Sequence, residues 1–148
     1  MNEDVLKNLG LNKIKKNGLY PSVLISNTLI YSSGEKRPVY SPINREKTAL
    51  FRDIKTNVVD ESLLQLNKSF MQWRKIPAPK RALLISEIKR LAIKNKKDLA
   101  YLITLESGKI YEESLGEVQE FIDICDFAIG ISRQLYGLSI TSERYKHK

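Results

Sequence analysis

Apolar positions recur along this chain with two different periods, and the change comes between residues 54 and 60. The runs "YPSVLIS", "TLIYS", "RPVYSP" and "TALFRDI" are short, rich in Val, Ile, Leu and Tyr, and separated by Asn, Gly, Ser and Pro. That pattern predicts strands and hairpins over about residues 18–54. A short helix is expected before them at Asp4 to Leu9, with Gly10 placed to stop it. From Asp60 the period becomes helical. Leu63, Leu66, Phe70 and Trp73 recur behind an Asp60 that suits an N-cap, and this helix is expected to end near Lys75. "IPAPKR" interrupts it, because Pro77 and Pro79 lack a backbone donor, although Pro79 suits the first turn of a new helix running through Leu84, Ile88, Leu91 and Ala92.

Asn95 opens a third helical segment, "KKDLAYLITLES", with Leu99, Leu102, Ile103 and Glu106 on one side and Gly108 as a left-handed stop. The fourth begins near Glu112 and is expected to reach Gly137. Its Leu115, Val118, Phe121, Ile122, Cys125, Ala128, Ile129 and Ser132 fall within an arc of about 140° at 100° per residue. Glu113, Glu117, Glu120, Asp123 and Asp126 take the opposite side. The last residues, "LSITSERYKHK", are polar and aperiodic, so 138–148 is expected to be an extended or disordered tail. There is no internal repeat and no low-complexity block.

Composition narrows the class. A chain of 148 residues suits one domain, and 42% hydrophobic with 28% charged residues is ordinary for a folded soluble protein. One Cys and one His cannot make an internal disulfide or a zinc site, which favours a reducing compartment. "MNEDVLKNLG" lacks the basic and apolar run of a signal peptide, and no apolar stretch approaches a membrane span, so a cytoplasmic location is expected. The net charge of +8 is segregated. Arg74 to Lys97 holds nine Lys/Arg against Glu87 alone, whereas Lys109 to Asp126 holds one Lys and six acids. Aromatic residues do not interleave with the basic run as they do on a base-stacking platform, so nucleic acid is not an expected partner.

The candidate chemistry is sparse. Cys125 sits in the middle of the apolar arc. Burial disfavours a thiolate, and flanking Asp123 and Asp126 disfavour it further, so packing is the expected role. His147 lies in the tail between Lys146 and Lys148 and is not oriented toward Cys125 by any predicted element. Pairs such as Glu112 with Glu113, or Glu117 with Glu120, are of a type that does acid–base work in a pocket, but on a helix face they read as solvated. "LESGK" has one glycine and follows a helix, so it is not a phosphate loop. Lys109 is expected to reach the free carbonyls at the end of the preceding helix.

Three segments carry a resemblance. "FMQWRKIPAPKR", then "LESGK", then "GEVQEFIDICDFAIGISRQLYG" together resemble the N-terminal region of aldehyde dehydrogenases. "IPAPKR" with "GEVQE" and "DICDFAIGISR" is similar to the antiquitin branch, the α-aminoadipic semialdehyde (piperideine-6-carboxylate) dehydrogenases of lysine breakdown, as more loosely are "LKNLGL", "NGLY" and "YSPINRE". The resemblance implies an α/β fold of which these 148 residues are a single N-terminal fragment, with strands first, about four helices after them, and mostly α content. It implies NAD-dependent oxidation of an aldehyde to a carboxylate by a cysteine nucleophile, a glutamate base and an asparagine that helps hold the oxyanion. The "FNFP" type asparagine motif, the cysteine and the glutamate motifs do not occur in these 148 residues, and neither do the NAD-binding strands. Cys125 matches a non-catalytic helix position of the branch.

The chain alone is therefore expected to be inert and to bind no NAD. One site residue carries over: in the branch the second glutamate of Gly-Glu-Val-Gln-Glu meets the amino group of the substrate at the tunnel mouth, which implies Glu120 here. The resemblance further implies a homo-oligomer of the tetramer type. A complementary dehydrogenase chain is a second expected partner, and a non-catalytic interaction module the alternative reading.

Overall fold

A computed structural model describes residues 3–134, 136–138 and 146. Helix α1 spans Glu3–Asn8 and is followed by a 3-10 turn at Leu11–Ile14. Gly10, at φ 72°, adopts the left-handed conformation that lets the chain turn between them. Strands β1 (Val23–Ile25) and β2 (Thr28–Ile30) pair antiparallel, with Val23 opposite Ile30 and Ile25 opposite Thr28. Strands β3 (Lys36–Tyr40) and β4 (Lys47–Arg52) form a second hairpin, irregular in register between Val39 and Tyr40. Each apolar run of the N-terminal region thus contains one strand.

The first hairpin turns on Ser26 and Asn27, both at positive φ (48° and 61°), the geometry of the two-residue turn whose twist matches paired strands. The two hairpins remain separate sheets joined by hydrogen bonds. The Tyr20 N–H donates to the Leu50 carbonyl (2.9 Å), Ser22 Oγ to the Arg52 carbonyl (2.7 Å) and Ser32 Oγ to the Asp53 carbonyl (2.6 Å). Gly34 is fixed by this crossing. A Cβ there would stand 2.2 Å from the Asp53 carbonyl oxygen.

Four longer helices follow: α2 (Thr56–Trp73), α3 (Ala78–Lys94), α4 (Lys96–Ser107) and α5 (Tyr111–Ile131). Two boundaries differ from the sequence reading. Helix α2 starts four residues before Asp60, with Lys55 at the cap and no side-chain cap bond, so the absence of a capping side chain hid its start. Helix α5 ends at Ile131 rather than Gly137. Helix α2 ends at Trp73, close to the expected Lys75, Pro79 lies in the first turn of α3 as expected, and Gly108 ends α4 at φ 76°. Asn95 serves both neighbours, its side-chain amide donating to the Leu91 carbonyl (2.8 Å) while its own carbonyl accepts from Leu99 (2.9 Å). Of the polar tail, only Leu138 and Lys146 are described, and His147 lies outside the described residues.

The core lies where α3, α4 and α5 meet. Ala92, Ala100, Val118 and Ile122 are buried there, with Leu99, Ile103, Tyr111 and Leu115 packed around them. Small side chains at the crossing let the helices approach: Ala100 and Ser114 are completely covered, and Ser114 Oγ hydrogen-bonds Thr104 Oγ1 at 2.9 Å. Hairpin and helices meet at the end of α4. Pro42 packs against Gly108, and Ser41 Oγ donates to the Leu105 carbonyl (3.3 Å). Helix α2 buries no residue, although Ser26 Oγ reaches Gln65 Oε1 at 3.3 Å.

The covered faces are not all the ones the periodicity suggested. On α3 the Leu84, Ile88 and Leu91 stripe is exposed, and Ala82 and Ala92 are the buried residues. On α5, Phe121 is 47% exposed while Val118, Ile122 and Cys125 are buried. Periodicity groups residues by face; the choice of covered face depends on which side neighbouring small residues let helices approach.

Candidate functional site

Glu120 lies in the middle of α5 on its exposed side. At 100° per residue, Glu120, Ile124, Phe127 and Ile131 fall within an arc of about 60°. Ile124 and Phe127 are exposed by 58% and 63%, so a carboxylate heads an uncovered apolar stripe. One turn before it, Gly116 leaves open space, since a Cβ there would meet no atom within 4 Å. Glu120 has no ion-pair or hydrogen-bond partner among the described residues.

The other acids of α5 are mostly engaged. Asp126 accepts from Lys89 Nζ of α3 at 2.6 Å, Asp123 accepts from Gln119 Nε2 at 2.8 Å, and Glu117 pairs with Lys109. The last contact corrects the expectation for Lys109: its ammonium goes forward to Glu117, and Ser107 Oγ accepts instead from its backbone N–H at 3.4 Å. A carboxylate within reach outcompetes neutral carbonyls for an ammonium. Cys125 is 6% exposed on the buried face, on the other side of the helix from Glu120. Glu112 and Glu113 open α5, where acids are favoured by the helix dipole.

Two concave features were not singled out by the sequence. One is an apolar cleft of about 270 Å³ lined by Leu6, Ile14, Tyr20, Phe51, Leu102 and Glu106. Burial, and secondarily the charge of Glu106, pushes the Tyr20 hydroxyl above its ordinary range. The other is a cavity of similar size beside Arg81 and Trp73, at the junction of α2, α3 and α5. The motif "FMQWRKIPAPKR" contains both side chains, but its linear form gives no sign that they enclose a space. Among the described residues no group of His, Cys, Asp and Glu is placed to hold a metal ion, and no helix is long and apolar enough to cross a membrane.

The profile of the aldehyde dehydrogenase family matches residues 30–148. The chain belongs to the aldehyde dehydrogenase family. Among its relatives, aldehyde dehydrogenase family 7 member A1 of Malus domestica is 39% identical over 116 residues, which cover 78% of this chain and 23% of that protein. The alpha-aminoadipic semialdehyde dehydrogenase of Bos taurus is 34% identical over 142 residues, covering 96% of this chain and 25% of its own length. The resemblance to the antiquitin branch is borne out by these matches. This aldehyde dehydrogenase chain spans about a quarter of the length of the curated relatives it matches.

Its structure agrees. A betaine aldehyde dehydrogenase variant from Staphylococcus aureus, solved in complex with NAD+, superposes with a TM-score of 0.73 over 82% of this chain and 25% of that one. At 21% identity it bears on the fold alone. The 3,6-anhydro-L-galactose dehydrogenase reaches 0.68 at 31% identity, over 80% of this chain and 25% of its own. The fold is therefore that of aldehyde dehydrogenases, mixed α/β and mostly helical in these residues. Both sheets among the described residues are two-stranded antiparallel hairpins.

Proposed function

We propose that this chain is a section of an NAD-dependent aldehyde dehydrogenase acting on α-aminoadipic semialdehyde in cytoplasmic lysine catabolism, in which Glu120 receives the substrate's ammonium group. The observation that carries the reading is an exposed, unpartnered Glu120 at the head of the Ile124 and Phe127 stripe. An unpaired carboxylate beside apolar surface suits a substrate with an ammonium and an aliphatic chain, because a charge-assisted hydrogen bond fixes one end while the chain stays on apolar side chains. The likeness to family 7 relatives supports the substrate class. The nucleophile, the base and the hydride acceptor's seat belong to sequence other than these residues, so the isolated chain is expected to form no NADH from the aldehyde.

The test is a chimera in which this chain replaces the matching quarter of a family 7 dehydrogenase. Glu120→Gln is expected to raise KM for α-aminoadipic semialdehyde roughly tenfold to hundredfold, the range that corresponds to losing a charged hydrogen bond. Activity on an uncharged aliphatic aldehyde should stay within about twofold of the parent. Equal losses on both aldehydes would remove Glu120 from substrate recognition. A Cys125-dependent rate from the isolated chain would overturn the expected inertness.

A second reading is favoured by α2, which buries no residue, and by the uncovered stripes of α3 and α5. In it the chain is a non-catalytic module that pairs through these faces with a complementary or full-length dehydrogenase subunit. Coexpression with such a subunit, followed by copurification, tests it; separate elution of the two chains counts against it.

A further inference from the structure

The cavity at the junction of α2, α3 and α5 is an open groove of about 270 Å³, lined by Trp73, Ala78, Arg81, Ile85, Ala128 and Ile131, among others. Among the described residues Arg81 is its only charged lining residue. The Arg81 Nε–H is buried and has no acceptor. Its guanidinium lies 5.8 Å from the centre of the Trp73 ring, over the aromatic face, which fixes the plane of the fork without satisfying a donor. Ser132 also lines the cavity, but its hydroxyl proton is committed to the Ile129 carbonyl at 2.6 Å. No acid among the described residues lines the groove, and Arg74, Lys75 and Lys80 add positive charge from the same short stretch.

A buried donor without an acceptor is costly. The space is many times that of one water molecule, at about 30 Å³. We infer that this cavity is a binding site for the carboxylate of an apolar-bodied acid, with Arg81 gripping the carboxylate through its fork and Trp73, Ile85 and Ile131 covering the aliphatic part. A planar fork matches a carboxylate with two parallel hydrogen bonds, and the aliphatic lining rewards a chain of a few methylenes. The acid is either a free small molecule or the side chain of an acidic residue on a packed polypeptide. The site is separate from Glu120 and does not rest on its role.

Trp73 is the only tryptophan, so its fluorescence reports this cavity directly. Sodium butyrate titrated into the purified chain at constant ionic strength is expected to change that signal saturably. Butanol, with the same body and no carboxylate, and sodium chloride, with charge and no body, should each need at least tenfold higher concentration. Arg81→Gln should abolish the butyrate response while Lys80→Gln retains it. If Arg81→Gln loses helical circular dichroism, Ala128→Leu serves instead, because it fills the cavity and leaves the guanidinium in place; it should weaken butyrate at least tenfold. A short blocked peptide with one internal glutamate separates the two sources. A stronger response to it than to butyrate assigns the carboxylate to a polypeptide, and the reverse assigns a free acid. Equal responses to butyrate, butanol and chloride, or a butyrate response that survives Arg81→Gln, overturn the inference.

Discussion

At the scale of single residues, Tyr20 joins packing to a pH dependence. Its ring is buried against Phe51 at 5.7 Å and under Lys15 Nζ at 5.5 Å. Burial first, and the charge of Glu106 second, hold its hydroxyl above the ordinary value of 10. For a group raised in the folded state, the neutral form is the one the fold favours. Its contribution is therefore complete below pH 10 and declines as pH rises through the folded-state value. Thermal melts are expected to hold level from pH 8 to 10 and fall above it, with a smaller fall in Tyr20→Phe. Gly34 makes a different prediction, from steric contact. Gly34→Ala must displace the Asp53 backbone from a 2.2 Å approach, at a cost of about 1–3 kcal/mol, read as a lower denaturation midpoint at unchanged slope.

At the scale of elements, α2 and α5 carry similar apolar repeats and contribute unequally. Leu63, Leu66 and Phe70 are all more than half exposed, whereas Val118 and Ile122 on α5 are nearly covered. Ile122→Ala should cost about 2–5 kcal/mol, while Leu66→Gln should fall within about 0.5 kcal/mol of the parent, measured by urea unfolding of both. This contrast marks what a sequence can disclose. Leu63, Leu66, Phe70 and Trp73 announced α2, Gly108 the end of α4, and the acidic side of the fourth helix the exposed position of Glu120. Which helix is covered was not legible, because Leu84, Ile88 and Leu91 have the periodicity of a core and face outward. That outcome is set by Ala82, Ala92, Ala100 and Ser114, whose small side chains permit close helix crossings and carry little hydrophobic signal. The cavity at Arg81 was hidden for a related reason: it is bounded by three helices, and only their packing brings Trp73 and Ile131 around one guanidinium.

At the scale of the whole molecule, the exposed area decides how the chain behaves in solution. It exposes 11727 Å². A folded monomer of 17.0 kDa is expected to expose about 7700 Å². The excess is roughly 4000 Å². Large apolar side chains stand exposed on three helices: Leu63, Leu64 and Phe70 of α2, Leu83 and Leu84 of α3, and Ile124 and Phe127 of α5. Monomers rarely expose contiguous apolar patches beyond several hundred square ångströms. Charge repulsion at +8 opposes association only weakly at physiological salt, where the screening length is about 8 Å. The purified chain is therefore expected to self-associate, sedimenting as species heavier than 17.0 kDa that grow with concentration. The variant carrying Leu66→Lys, Phe70→Glu, Ile124→Glu and Phe127→Lys should shift the distribution toward monomer while keeping its helical circular dichroism, since none of the four side chains is buried. A parent chain that sediments as a single monomer and melts in one sharp transition would show that these faces cover themselves.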